Sequence, residues 1–152
     1  MAIKIDDLEP ASVGAWAKRC YFAGRAMMEA ALRPHGLGAT QWYVLHQLGH
    51  VGPTMQRELV RLLRVERATL SIIVGTLVRK GLIEQVPDTV DQRQKLLRLT
   101  PAGKSLWADL PDLGFIHDAA FAGFSKADIA ITTRVLKAAT ERLNQHLEGE
   151  PT

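Results

Sequence analysis

The chain has 152 residues, 47% of them apolar and 23% charged, which gives enough chain for one sizeable core and excludes a disordered or fibrous protein. No apolar run approaches the roughly 18–20 residues of a membrane span, and the acidic opening MAIKIDDLEP lacks the apolar segment of a signal peptide. The single cysteine, Cys20, excludes an intrachain disulfide and a cysteine-rich zinc site, so a cytoplasmic, membrane-free protein is expected.

Residues 13–33 predict a first helix, apolar on more than one face through Trp16, Phe22, Met27, Met28 and Leu32, and stopped by Pro34 and Gly36. Thr40 is the expected N-cap of a second helix over 41–49, which Gly49 and Gly52-Pro53 end. Thr54 is the expected cap of a third, over 55–63, with Leu59, Leu62 and Leu63 as its apolar stripe. After a short turn at Val65-Glu66, a fourth helix runs to about Lys80. In it Leu70, Ile73, Val74, Leu77 and Val78 follow the helical template. Gly81 suits the position after its end.

Two short strands, Leu82–Val86 and Leu96–Thr100, flank Pro87 and the polar stretch 88–95, a hairpin with a charged tip. Pro101 opens a fifth helix through Trp107, which Pro111 and Gly114 interrupt. Ser125 to Asp128 is a capping-box-like start for the last helix, in which Ile129, Leu136, Leu143 and Leu147 form a helix–helix seam. The fold class is therefore mainly α with a small β-hairpin wing. Residues 51–104 are expected to form a winged helix-turn-helix module between two helical regions, 1–50 and 105–152.

The net charge of +3 is unevenly distributed. Residues 54–104 hold ten basic and five acidic side chains, while the rest of the chain holds nine and eleven. Such asymmetry predicts a polyanionic partner, although a merely solvated basic face has the same signature. No aromatic residue lies between Val44 and Leu106. Single strands and RNA loops are read by stacking bases on aromatics, so a nucleic-acid partner of this module is a duplex. A helix fits the major groove, and a hairpin beside it can place a cation in the minor groove.

The stretch Asp91-Gln-Arg93-Gln-Lys95-Leu-Leu-Arg-Leu99-Thr100-Pro-Ala-Gly103 resembles the wing signature of the MarR family of bacterial transcriptional regulators, an Asp-x-Arg followed by an apolar strand ending Leu-Thr-x-x-Gly. Leu77–Ile83 resembles that family's exit from the recognition helix. Gly36–Leu45 is similar to its second-helix start, and Phe124-Ser125 to its last-helix start.

The resemblance implies a homodimer formed by the first and last helices, binding a pseudo-palindromic duplex operator. Arg93 matches the wing-tip arginine of the minor groove. Asp91 matches the acid that steadies the wing through an ion pair with a nearby arginine. Arg67, Thr69, Ser71 and Ile72 fall where the recognition helix faces the groove, and Arg57, Arg79 and Lys95 complete the candidate DNA-contacting set. Ile72 departs from the pattern: it contacts a thymine methyl, or base reading is weak there.

Many members are repressors relieved by small aromatic acids. Tyr21, Phe22, Arg25, Met28, Trp42, His46 and Phe115 are the candidate ligand residues, with dimer core as the competing role for the apolar ones.

Three other readings carry less. Cys20 is further from the start of the first helix than the peroxide-sensing cysteine of some relatives, and a buried structural thiol is the simpler expectation. A thiol-based redox regulator and a winged-helix interaction module without DNA reading remain the alternatives. His46 and His50 have the i, i+4 spacing of a two-histidine metal site, but no third ligand is evident. There is no phosphate loop, nucleophile elbow or His-Glu-x-x-His, so neither an enzyme nor a cofactor is expected.

Overall fold

The computed structural model describes residues 12–149, which form two compact units, one ending at Leu113 and one starting at Gly114. Among the described residues no helix is long and apolar enough to cross a membrane.

In the first unit, helix α1 spans Val13–Leu32, with the Ser12 hydroxyl accepting the Ala15 N–H at 3.1 Å. A short 3-10 turn, Arg33–His35, follows, and Gly36 closes it at φ 69°, a left-handed conformation that favours glycine. Only Met28 and Leu32 of α1 are buried. Cys20 is exposed rather than buried, because it sits on the same outward-facing helix as the exposed Trp16, Tyr21 and Phe22.

Helix α2 spans Ala39–His50 and begins one residue before Thr40. The cap expected of Thr40 comes instead from Glu29 on α1, whose Oε1 accepts the Ala39 N–H at 3.1 Å. The Thr40 hydroxyl accepts a hydrogen bond from Arg25 Nη2. A carboxylate at the positive end of a helix serves the same orphan donors as a local cap.

Thr54 likewise does not cap a helix. Thr54–Met55 is a two-residue strand, β1, which pairs with Leu97 and Leu96. The buried Thr54 hydroxyl donates to the Gly52 carbonyl at 2.9 Å. Helix α3 therefore starts at Gln56 and ends at Leu63. Arg64 turns the chain at φ 53°, the one non-glycine residue with positive φ among the described residues. Helix α4 follows over Arg67–Arg79.

Strands β2 (Ile83–Pro87) and β3 (Lys95–Leu99) make an antiparallel hairpin, and the sheet order is β1-β3-β2. The core of this unit joins Leu32, Val44, Leu45 and Leu48 to Leu59 of α3, Leu70, Val74 and Leu77 of α4, and Ile83 and Leu97 of the sheet. Each such side chain contributes about 2 kcal/mol of burial. Of the stripe expected on α3 only Leu59 is buried, and Leu62 is exposed, because an eight-residue helix turns a single residue fully onto the core.

Helix α5 (Pro101–Asp109) closes the unit. Thr100 caps it, accepting the Gly103 N–H at 3.0 Å and donating to the Gly81 carbonyl at 2.6 Å.

The second unit is a pair of helices, α6 (Gly114–Phe121) and α7 (Lys126–Gly149). Ser125 accepts the Asp128 N–H at 3.0 Å, the cap its sequence predicts. Neither helix has a buried residue, and Ile131, Val135, Leu136, Leu143 and Leu147 of α7 are exposed.

Candidate nucleic-acid interface

The spacing of Leu70, Val74 and Leu77 turns one face of α4 to the core. The opposite face is thereby left exposed, and it carries Arg67, Thr69, Ser71 and Ile72. Ile72 is 71% exposed, a large apolar side chain outside the core.

The wing tip beside it is an ordered turn. The Asp88 N–H donates to the Gln94 carbonyl at 3.0 Å, and the Gln94 N–H to the Asp91 carbonyl at 2.9 Å. The Asp91 N–H donates to Asp88 Oδ2 at 3.1 Å. Asp91 Oδ1 in turn accepts both the backbone N–H of Arg93, at 3.1 Å, and its Nε, at 3.2 Å. The expected ion pair of Asp91 is thus made with Arg93 itself. It leaves the rest of the guanidinium outward, with the side chain 90% exposed.

Between α3, α4 and the wing lies a groove of about 320 Å³. Arg57, Arg67, Arg93 and Lys95 line it together with Gln56, Val60, Ser71 and Gln94, and no acid is among them. Four cations with no carboxylate on a concave wall suit the oxygens of a polyanion. Arg61 bonds Glu58 and Arg98 bonds Glu84 across the β2–β3 pair, both away from that wall, while on the wall Arg93 pairs with Asp91, whose carboxylate is not part of the lining. The structure thus gathers five residues of the expected DNA-contacting set, Arg57, Arg67, Ser71, Arg93 and Lys95, on one wall. Thr69, Ile72 and Asp91 are not part of that wall, and neither is Arg79, whose Nη2 donates to Thr76 at 3.2 Å on its own helix. Gln56 and Gln94 line the groove without having been singled out in the sequence. Neutral amides leave no trace in a charge or hydropathy pattern.

The expected ligand residues are dispersed. Tyr21 and Phe22 are exposed and meet edge to face at 5.4 Å. Arg25 is engaged by Thr40 at 3.1 Å, Glu29 at 3.8 Å and Tyr21 at 3.4 Å. Met28 is buried in the core. Trp42 stacks on His46 at 4.8 Å and His46 on His50 at 4.5 Å, with Trp107 against all three. Phe115 belongs to α6, in the other unit. The two histidines are stacked ring on ring, an arrangement in which their nitrogens do not converge on a shared ion.

Burial in this aromatic stack, reinforced by the neighbouring His50, lowers the pKa of His46 below its ordinary 6.5. Between the two values the unfolded chain binds the proton that folded His46 refuses, so stability rises with pH across that window. The stability is complete above about 6.5, is lost as the pH falls, and changes no further below the folded value. Melting temperatures across pH 5–8 should show this loss, and His46→Phe should flatten it. An unchanged slope in the variant would contradict the assignment.

Two packed helices, a short turn between them and a cationic hairpin beside the second define a winged helix-turn-helix module. The chain matches the MarR family model over residues 35–94. It is 29% identical over 126 residues to the transcriptional activatory protein BadR of Rhodopseudomonas palustris, a stretch covering 78% of this chain and 71% of BadR.

The fold is shared with a MarR mutant from E. coli solved in complex with operator DNA. That similarity has a TM-score of 0.78 at 21% identity and covers 91% of this chain and 99% of that one. It is also shared with Bordetella bronchiseptica BpsR, whose structure concerns regulation of its DNA binding by 6-hydroxynicotinic acid. There the TM-score is 0.74 at 24% identity, covering 84% of this chain and 98% of that one.

Proposed function

We propose that this protein is a homodimeric, sequence-specific double-stranded DNA-binding regulator of transcription, a repressor released by a small aromatic carboxylate. The groove carries the proposal: four cations and no acid between the exposed face of α4 and the wing. With α4 in the major groove, Arg67, Thr69, Ser71 and Ile72 face base edges, and Arg57 and Lys95 meet phosphates. Arg93 enters the flanking minor groove, steadied by Asp91, and Arg79 meets the backbone beyond.

The dimer is supported by the exposed apolar side chains of α1 and α7. Trp16 of α1 is 58% exposed and Leu143 of α7 65%, and a helix that leaves several large apolar side chains exposed ordinarily has that face covered by a partner. On this reading residues 1–50 and 105–152 assemble the dimer and residues 51–104 read the operator. Twofold symmetry then sets the half-sites about one turn, roughly 34 Å, apart.

The effector reading rests on Tyr21, Phe22, Arg25, Met28, Trp42 and His46, with Phe115 a further candidate. An aromatic acid requires apolar walls and a cation, and half-buried Arg25 among aromatic rings provides both. The regulation described for BpsR involves a ligand of this class.

The test is binding of the purified protein to the promoter region beside its own gene, across a salt series, with and without a panel of aromatic carboxylates. Four groove cations in each subunit bring about eight positive charges against the duplex in a dimer, and if each displaces about one counterion the slope of log affinity on log salt is about −7. Footprinted binding released by one acid establishes regulator and effector class together. Salt-sensitive attraction to every duplex alike would instead favour the interaction-module reading.

A further inference from the structure

A hydrogen-bonded relay of two amides reaches the recognition helix from the sheet. Gln85, in the middle of β2, donates through Nε2 to Gln56 Oε1 at 3.0 Å. Gln56, the first residue of α3, donates through its own Nε2 to the Ser71 hydroxyl oxygen at 3.4 Å. Gln56 and Ser71 lie on the groove wall, and Gln85, itself exposed, is not part of that wall.

The two ends of a carboxamide are not equivalent: one accepts and the other donates. With the Gln56 oxygen taken by Gln85, its nitrogen is the end that meets Ser71. One lone pair of the Ser71 oxygen is then occupied. The serine proton has no such commitment. Thr76, Thr132 and Thr140 each donate their hydroxyl to the carbonyl four residues back. Ser71, also on a helix, makes no such bond among the described residues. Its O–H is available to the groove.

We propose that Gln85 and Gln56 are positioning residues that set Ser71 as a hydrogen-bond donor, so that the operator position it meets presents an acceptor. Guanine offers only acceptors, N7 and O6, in the major groove, and cytosine offers only the N4 donor. The position read by Ser71 therefore selects guanine over cytosine. Exclusion of water by the bound duplex strengthens the relay when it matters. The inference rests on the DNA-reading function proposed above.

Selection of operators from random duplexes tests it. Wild-type protein should enrich guanine over cytosine at one position in each half-site, by roughly fivefold, the worth of one net hydrogen bond. Ser71→Ala should abolish that preference and no other. Gln85→Glu provides the decisive variant, since it lies outside the groove wall. A carboxylate at position 85 only accepts, so the Gln56 amide must present its nitrogen to it and its oxygen to Ser71. The serine proton is then consumed and its lone pairs face the base, which should move the preference toward the donor bases cytosine and adenine. Gln56→Glu should do the same from inside the groove, and Gln85→Leu should only relax the preference.

Loss of the preference in Ser71→Ala with none of the glutamine variants altering it would overturn the relay. A preference unchanged even in Ser71→Ala would remove Ser71 from base reading. No enriched sequence with wild-type protein would instead sink the DNA-reading function itself, an outcome distinct from both. Thermal melts of each variant separate altered reading from unfolding.

Discussion

Replacing Arg93 with alanine is expected to weaken binding to the selected operator by about 2 kcal/mol or more, at least roughly thirtyfold, because a dimer loses two wing contacts at once. The salt slope should become shallower by about 1.8, the share of two charges brought against the duplex. Stability should not move. The Arg93 side chain is 90% exposed, and among the described residues its one partner is Asp91. An exposed pair of this kind contributes little to folding. Melting and operator titration on the same preparation separate the two effects. Undiminished affinity at physiological salt would remove the wing tip from the interface. Replacing Asp91 with alanine should have a smaller effect of the same sign, since it frees Arg93 without deleting it.

The largest expected effect on stability is at Gly103. A Cβ built there would lie 1.9 Å from the Leu82 carbonyl oxygen and 3.0 Å from its carbon. Both are backbone atoms, and that oxygen already accepts the Thr100 N–H at 3.1 Å. The close approach is fixed from the other side by Thr100, whose hydroxyl bridges the Gly81 carbonyl and the Gly103 N–H. Neither strand end nor helix start can retreat without breaking these bonds. Gly103→Ala should therefore cost about 3 kcal/mol, near the upper end for overpacking, and lower the Tm by roughly 10 °C. The same change at Gly14, with nothing within 4 Å, should be neutral or mildly stabilising. Equal melting of Gly103→Ala and wild type would show that the two segments part freely.

This contact also gives a physical meaning to the spacing Leu99-Thr100-x-x-Gly103. Threonine ends the strand, caps the helix and holds the junction; glycine lets the helix pass under the preceding turn. A sequence pattern can carry that information because every participant lies within about 20 residues. The same holds for the helix stripe Leu70-Val74-Leu77 and for the Ser125 cap. It holds too for the wing tip, where Asp91 and Arg93 meet two residues apart. In each case local spacing alone brings the partners together.

Other features are set by partners distant along the chain. Thr40 and Thr54 have the local credentials of helix caps. Yet Glu29, ten residues before Ala39, takes the first role, and pairing with Leu97, more than forty residues away, draws the second into a strand. The groove was legible as charge but not as a place: Arg57, Arg67 and Arg93 become neighbours only once α3, α4 and the wing are packed. Gln56 and Gln85 were invisible, because an amide's role depends on which group meets each of its ends. Local spacing and charge pattern were enough to specify the winged helix-turn-helix order, the cationic module and the signature at the wing. Packing decided which caps are used, which cations converge and how Ser71 is held, because those outcomes depend on hydrogen-bond partners that only the folded chain brings within reach.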